Sequence, residues 1–134
     1  MSFIYTEEQE SIRELAVNYA KTRVQFNKPI ARNQGLQWYI ADMATKVEAA
    51  RALIYEAATT FDRGENVSKL AAIAKYYAAE IGVQVADKAL QIHSGYGYMR
   101  DYPLERMYRD ARIVPIYEGT SEVQKMIIAR EVMK

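Results

Sequence analysis

Glu118 is the residue with the clearest chemical potential in this sequence. It stands between Tyr117 and Gly119, directly ahead of Thr120, where a helix is expected to begin. A carboxylate there feels exposed backbone amides and the positive end of the helix dipole. Gly119 lets the backbone approach a ligand closely. Two chemistries fit: a general base on a tight loop, or an acid capping a surface turn. Residue chemistry alone favours the cap, because acidic caps far outnumber catalytic bases. The surrounding run, Gln91 to Glu122, carries three glycines, five tyrosines and four arginines. Arg100, Arg106, Arg109 and Arg112 suggest anion binding, but Asp101, Glu105 and Asp110 are interleaved and favour internal ion pairing. His93 closes an apolar helical face and reads as a partly buried histidine bonded to backbone. Gly95 and Gly97 follow no strand and complete no dinucleotide-binding pattern.

The elements that must position these residues are helical. Thr6 and Gln9 form a capping box, and Ile12, Leu15, Ala16, Tyr19 and Phe26 share a face. Asn27, Lys28 and Pro29 are expected to end that first helix. In the second, Leu36, Ile40, Met43, Val47, Ala50, Ile54, Ala57 and Phe61 alternate steps of four and three, the seam of near-parallel bundle packing. Gly64 is its C-terminal stop. A third helix starts near Asn66 or Ser68 and buries Leu70, Ile73, Tyr77, Ile81, Val85, Ala89 and Ile92. Pro103 opens a short helix ending near Arg112. Thr120 caps the last, whose apolar positions are Val123, Met126, Ile127 and Val132. No alternating strand pattern is visible. The expected fold is all-α: an antiparallel four-helix bundle with a short extra helix.

Composition limits the partners. Half of the 134 residues are hydrophobic, enough for a packed core without staples. With 18 basic against 17 acidic residues the net charge is +1, which gives no electrostatic case for nucleic acid or an anionic membrane. There is no cysteine, which excludes thiolate chemistry, and one histidine argues against a zinc site. The apolar runs are far shorter than a membrane span, and MSFIYTEEQE lacks a signal-peptide profile. A cytoplasmic or mitochondrial-matrix-type location, not secretion, is expected.

Five segments carry a resemblance: YAKTRVQFNKPI, QGLQ, ADMA, QIHSGYGYMRDYPLERMYRDARI and IYEGTSEVQKMIIARE. Together, from about Val17 to Lys134, they closely resemble the C-terminal helical domain of the flavin-dependent acyl-CoA dehydrogenases. The resemblance implies that Glu118, in the YEGT motif, is the base removing the acyl α-proton while a β-hydride goes to flavin. It implies FAD contacts for Arg23, Gln25, Phe26, Gln91, Gly95, Thr120 and Glu122, several across a subunit interface, and substrate contacts for Tyr117 and Gly119. It also implies acyl-CoA as substrate and a homo-oligomer, a dimer or tetramer. Two departures stand out: Asn27 replaces the usual glycine after RxQF, and Ser94 replaces the first glycine of HGGYGY. Family members also have an N-terminal helical domain and a middle β-domain around the flavin. Here residues 3 to 15 resemble the opening of that N-terminal domain and run into the C-terminal domain near Ala16 and Val17. The expected organisation is one helical domain, 1–134, with a first-helix segment 1–16 fused to a bundle 17–134. Without a β-domain in these residues, weak or absent FAD binding and no turnover are expected. The alternatives are a stand-alone self-associating bundle and a domain that binds CoA or nucleotide without chemistry.

Overall fold

The computed structural model describes the backbone of residues 4–134 and the side chains from residue 11 onward. The elements in chain order are α1 (Ile4–Thr22), β1 (Val24–Gln25), β2 (Lys28–Pro29), a 3-10 turn (Ile30–Arg32), α2 (Gln34–Asp62), α3 (Ser68–His93), α4 (Gly95–Tyr98), α5 (Leu104–Ile113) and α6 (Ser121–Val132). Helix α3 is the centre. It packs against α1, α2, α4, α5 and α6, whereas the principal packing of α6 is against α3 alone. The expected all-α bundle is the observed architecture; beside the expected short helix, α5, it has a second, the one-turn α4, where the sequence reading placed only the stop of the third helix.

The reason α3 can take the centre is its run of small residues. Ala72, Ala74, Ala78, Ala79, Gly82, Ala86 and Ala89 are buried beside Ile81, Val85 and Ile92. Small side chains let several helices approach one axis at close range. Met43 and Val47 of α2, Ile12, Ala16 and Ala20 of α1, and Leu104 at the start of α5 complete the main core. On α2 the seam is buried at Met43, Val47, Ala50 and Ala57, with Leu36 and Ile40 packed beside the core. It does not extend to Phe61, which is 67% exposed. A straight helix drifts out of a 3.5-residue repeat, so the last seam position turns away from the core. Gly64 stops α2 as expected, at φ 73.

The first helix ends earlier than expected. It stops at Thr22, and the chain makes a two-stranded antiparallel hairpin, Val24 facing Pro29 and Gln25 facing Lys28. Phe26 (φ 52) and Asn27 (φ 61) form its turn, both left-handed, as a two-residue hairpin turn demands. Two expectations are corrected here. Asn27 is a turn residue and not a helix cap, and Phe26 is 91% exposed at the tip instead of on the core face. Strands this short show no alternation for sequence periodicity to detect. Thr6 falls inside α1 by its bounds, so it does not cap that helix; the side chains of Thr6 and Gln9 lie outside the described residues.

In α6 the expected apolar face is corrected too. Val123 is 44%, Met126 71% and Val132 67% exposed, while Ser121 and Gln124 are buried against α3. Polar groups face inward because each finds a partner: Ser121 Oγ donates to Glu80 Oε1 at 2.6 Å, and Gln124 Nε2 to the Gly119 carbonyl at 3.3 Å. Thr120 is the cap that the sequence indicates, its side chain accepting from the Val123 amide.

Candidate functional site

Glu118 and Tyr117 stand at the edge of a groove of about 1030 Å3. Its floor is the alanine face of α3, Ala71, Ala72, Ala74, Ala78 and Ala79; Ile54 and Ala57 of α2 form one wall, and Gln124, Ile127 and Arg130 of α6 the other. The groove exists because α6 packs on α3 without closing on α2. Its lining is mostly apolar, with Lys75, Asp110, Glu118 and Arg130 as its charged members, the pattern of a small-molecule site.

The loop bearing Glu118 is held in an unusual backbone conformation. Glu118 has φ 51 and Gly119 φ 92. The positive φ of Gly119 suits glycine, and a Cβ there would come within 2.6 Å of Gln124 Nε2 and push that side chain off the Gly119 carbonyl. The Glu118 residue is exposed, directly ahead of the α6 N-terminus. Burial, and next the Glu118 charge, push the Tyr117 phenol above its ordinary value. Glu118 also bears on Lys75: burial lowers that ammonium's pKa, and the Glu118 and Glu80 carboxylates oppose the shift.

The other candidate residues fall on two further surfaces. Arg23, Gln25 and Gly95 come together with Tyr19, Ile30, Ile92, Ser94, Tyr96 and Met99 around a second groove of about 450 Å3. The Arg23 guanidinium carbon lies 5.1 Å from the centre of the Tyr96 ring, a cation–π placement that orients it. Below it, the rings of Tyr19 and His93 stack at 4.0 Å, and Tyr102 meets both edge-on. His93 is buried, and its Nδ1 lies 2.9 Å from the Ala89 carbonyl, so Nδ1–H donates there. That is the backbone-bonded histidine expected from the sequence; burial lowers its pKa, with the Ala89 bond opposing. Phe26 and Gln91 are exposed and outside the residues lining this groove.

Thr120 and Glu122 line a third, smaller groove of about 300 Å3 with Glu80 and Arg112. The Glu122 carboxyl is held below its ordinary value by its own backbone N–H first, then by the Thr120 hydroxyl, with Lys125 and Arg112 assisting more weakly. Of the arginine cluster, Arg109 makes the expected internal pair, with Glu105 at 3.1 Å. Among the described residues no cluster of three or more acidic, histidine or cysteine side chains could hold a metal, and no helix is long and apolar enough to cross a membrane.

Sequence reasoning missed Lys75 and Glu80. Both sit inside the apolar stretch LAAIAKYYAAEIG, and that was the available signal. A charge on a helix buried on most sides must have a specific partner.

The helical fold that holds these two grooves matches known proteins in sequence and in structure. The chain belongs to the acyl-CoA dehydrogenase family: the model of the acyl-CoA dehydrogenase C-terminal domain matches residues 8–133. It is 60% identical over 125 residues to the acryloyl-CoA reductase (NADH) of Anaerotignum propionicum, an alignment covering 93% of this chain and 32% of that protein. It is 54% identical over 121 residues to an acyl-CoA dehydrogenase of Bacillus subtilis (strain 168), covering 90% and 32% respectively. The butyryl-CoA dehydrogenase structure from Megasphaera elsdenii superposes with a TM-score of 0.95 at 42% identity, covering 97% of this chain and 34% of that one. The chain thus spans about a third of the length of the relatives it matches.

Proposed function

We propose that this chain supplies the base and part of the cofactor surface for FAD-dependent oxidoreduction at the α,β-carbons of an acyl-CoA thioester. The observation that carries the reading is the placement of Glu118: an exposed carboxylate at φ 51, at the mouth of the groove, in a chain of this family. In this role Glu118 takes the α-proton from the acyl group. FAD, which Arg23 and Gln25 would help to hold, would supply the acceptor for the β-hydride. In the reductive direction, which the name of the Anaerotignum relative indicates for that protein, Glu118 returns the proton to the α-carbon. The groove beside Tyr96 fits the cofactor's diphosphate: Arg23 brings an oriented cation, Gln25 a donor, and Gly95 an exposed backbone that permits close approach. Thr120 and Glu122 would contact FAD next to the base, and Phe26 and Gln91 would do so from a neighbouring subunit. Tyr117 and Gly119 would contact the substrate.

The 134 residues form a single helical domain in this reading, and 1–16 serve as the opening of a first helix continuous with the bundle 17–134. The unbroken course of α1 from Ile4 to Thr22, through Ala16 and Val17, supports it. These residues alone are expected to bind FAD weakly or not at all and to show no turnover. Absorbance of the purified protein, calorimetry with FAD and with acyl-CoA, and acyl-CoA oxidation with an artificial electron acceptor test this. A stoichiometric flavin band with turnover would overturn the expected inactivity. Loss of that turnover in Glu118→Gln would establish the base, and turnover unaffected by Glu118→Gln would refute it.

A second reading, a self-associating helical bundle without catalysis, is favoured by one observation. Trp38, Phe61, Met126 and Val132 are each more than 60% exposed. Large apolar side chains left in water on a single chain are covered when copies of that chain associate.

A further inference from the structure

We propose that Lys75 is a positioning residue for Glu118, tethering both shoulders of the Glu118 loop to the central helix. This rests on the reading of Glu118 as the base. Lys75 Nζ donates to the Val114 carbonyl at 2.9 Å and to the Gly119 carbonyl at 2.7 Å. The two acceptors lie on either side of Glu118, four residues before and one after it. One ammonium on α3 therefore closes the loop like a clasp. Lysine suits the task because its ammonium can donate in three directions from a flexible stem, and its charge strengthens each bond to a carbonyl dipole.

The rest of the loop is held from the same side. Ser121 Oγ donates to Glu80 Oε1, five residues along α3 from Lys75. The Ser121 amide donates to the Pro115 carbonyl at 2.9 Å, and Gln124 Nε2 reinforces the Gly119 carbonyl. Two successive left-handed residues, Glu118 and Gly119, are not a conformation that a free loop would hold. The fixing groups come from α3 and α6, so the direction in which the carboxylate leaves the loop is set by the bundle and not by local preference. The ammonium is also partly desolvated and electrostatically coupled to Glu118, so geometry and charge act together on the same group.

The test uses isotope-labelled protein with Lys75→Met, Lys75→Arg and Glu118→Gln. In Lys75→Met the Ile116, Tyr117 and Ser121 amides exchange hydrogen about 10- to 100-fold faster, the change produced by losing one or two charged hydrogen bonds. Central α3 amides keep their rates relative to one another and to global stability. The Glu118 side-chain carbonyl resonance shifts and broadens. Lys75→Arg, which keeps charge and donors, restores much of the protection. In wild type the Lys75 ammonium resonance exchanges slowly with water and moves in Glu118→Gln. Loop amides exchanging at the wild-type rate in Lys75→Met, or an unchanged Glu118 resonance, would overturn the tether. Where turnover is measurable, Lys75→Met is expected to lower kcat about 10- to 100-fold at unchanged KM, the effect of a misplaced base. Unchanged kcat in Lys75→Met together with loss in Glu118→Gln refutes the tether and leaves the base standing. Full activity in Glu118→Gln refutes the base, while the exchange rates still decide the tether.

Discussion

Glu118 and Gly119 both hold positive φ, yet only one of them is a glycine. A non-glycine residue in that region costs about 1 kcal/mol or more and persists only where surroundings over-determine it. Here Lys75, Gln124 and the Pro115 carbonyl provide that determination. His93 is a second residue whose behaviour depends on its surroundings. Its ring is stacked on Tyr19, edge-on to Tyr102 and bonded to the Ala89 carbonyl. Burial lowers its pKa from 6.5, so the folded protein resists a proton that the unfolded chain accepts. The sign follows: this contribution to stability is fully present above the unfolded value and is lost as pH falls from about 6.5 toward the lower folded value. The urea midpoint of the wild type is expected to drop on acidification through that window, with a shallower drop in His93→Gln. Equal slopes in the two proteins would dismiss His93 as the cause.

At the scale of elements, the α3–α4 junction holds a serine where the backbone suits glycine. Ser94 has φ 55 and ψ −139, a region that suits glycine almost exclusively. Its side chain is exposed, so little packing is lost by removing it. Ser94→Gly is expected to stabilise the protein by about 1 kcal/mol, the relief of strain being partly offset by the freer unfolded chain. That corresponds to a rise of about 3–5 °C in Tm by calorimetry; an unchanged or lower Tm would show the strain to be absent. Gly97, three residues on, has the opposite constraint. A Cβ there would come within 2.6 Å of the Leu90 carbonyl oxygen, so the turn presses directly against α3. The hairpin 24–29 is the counterpart at the end of α1. Asn27 carries no comparable penalty there, because asparagine tolerates the left-handed turn conformation.

On the scale of the whole molecule, the bundle has an interior on one axis and apolar groups on several outer faces. Trp38 and Phe61 on α2 and Met126 and Val132 on α6 are exposed in the single chain. Self-association into dimers or tetramers is therefore expected, with concentration-dependent mass in sedimentation velocity. A monomer throughout a wide concentration range would remove that reading. The same exposure accounts for the misassigned face of α6. Periodicity reports that Val123, Met126 and Val132 are apolar, and an apolar side chain can face a core or a partner equally well.

Much of this was legible from the chain alone. The helix order, the Gly64 stop, the Thr120 cap, the backbone-bonded His93 and the family membership all rest on local signals or on ordered motifs. Glycine, proline and capping chemistry act over a few residues, so sequence carries them directly. The hairpin at 24–29 was not legible, because two-residue strands are too short for a period. Tertiary structure alone decided which residues meet: Arg23, Gln25 and Gly95 at one groove, Tyr117 and Glu118 at another, and Lys75 beneath the Glu118 loop. Lys75 and Gly119 are 44 residues apart in the chain, and only the packing of α5, α6 and their linking loop on the α3 axis brings that ammonium to that carbonyl.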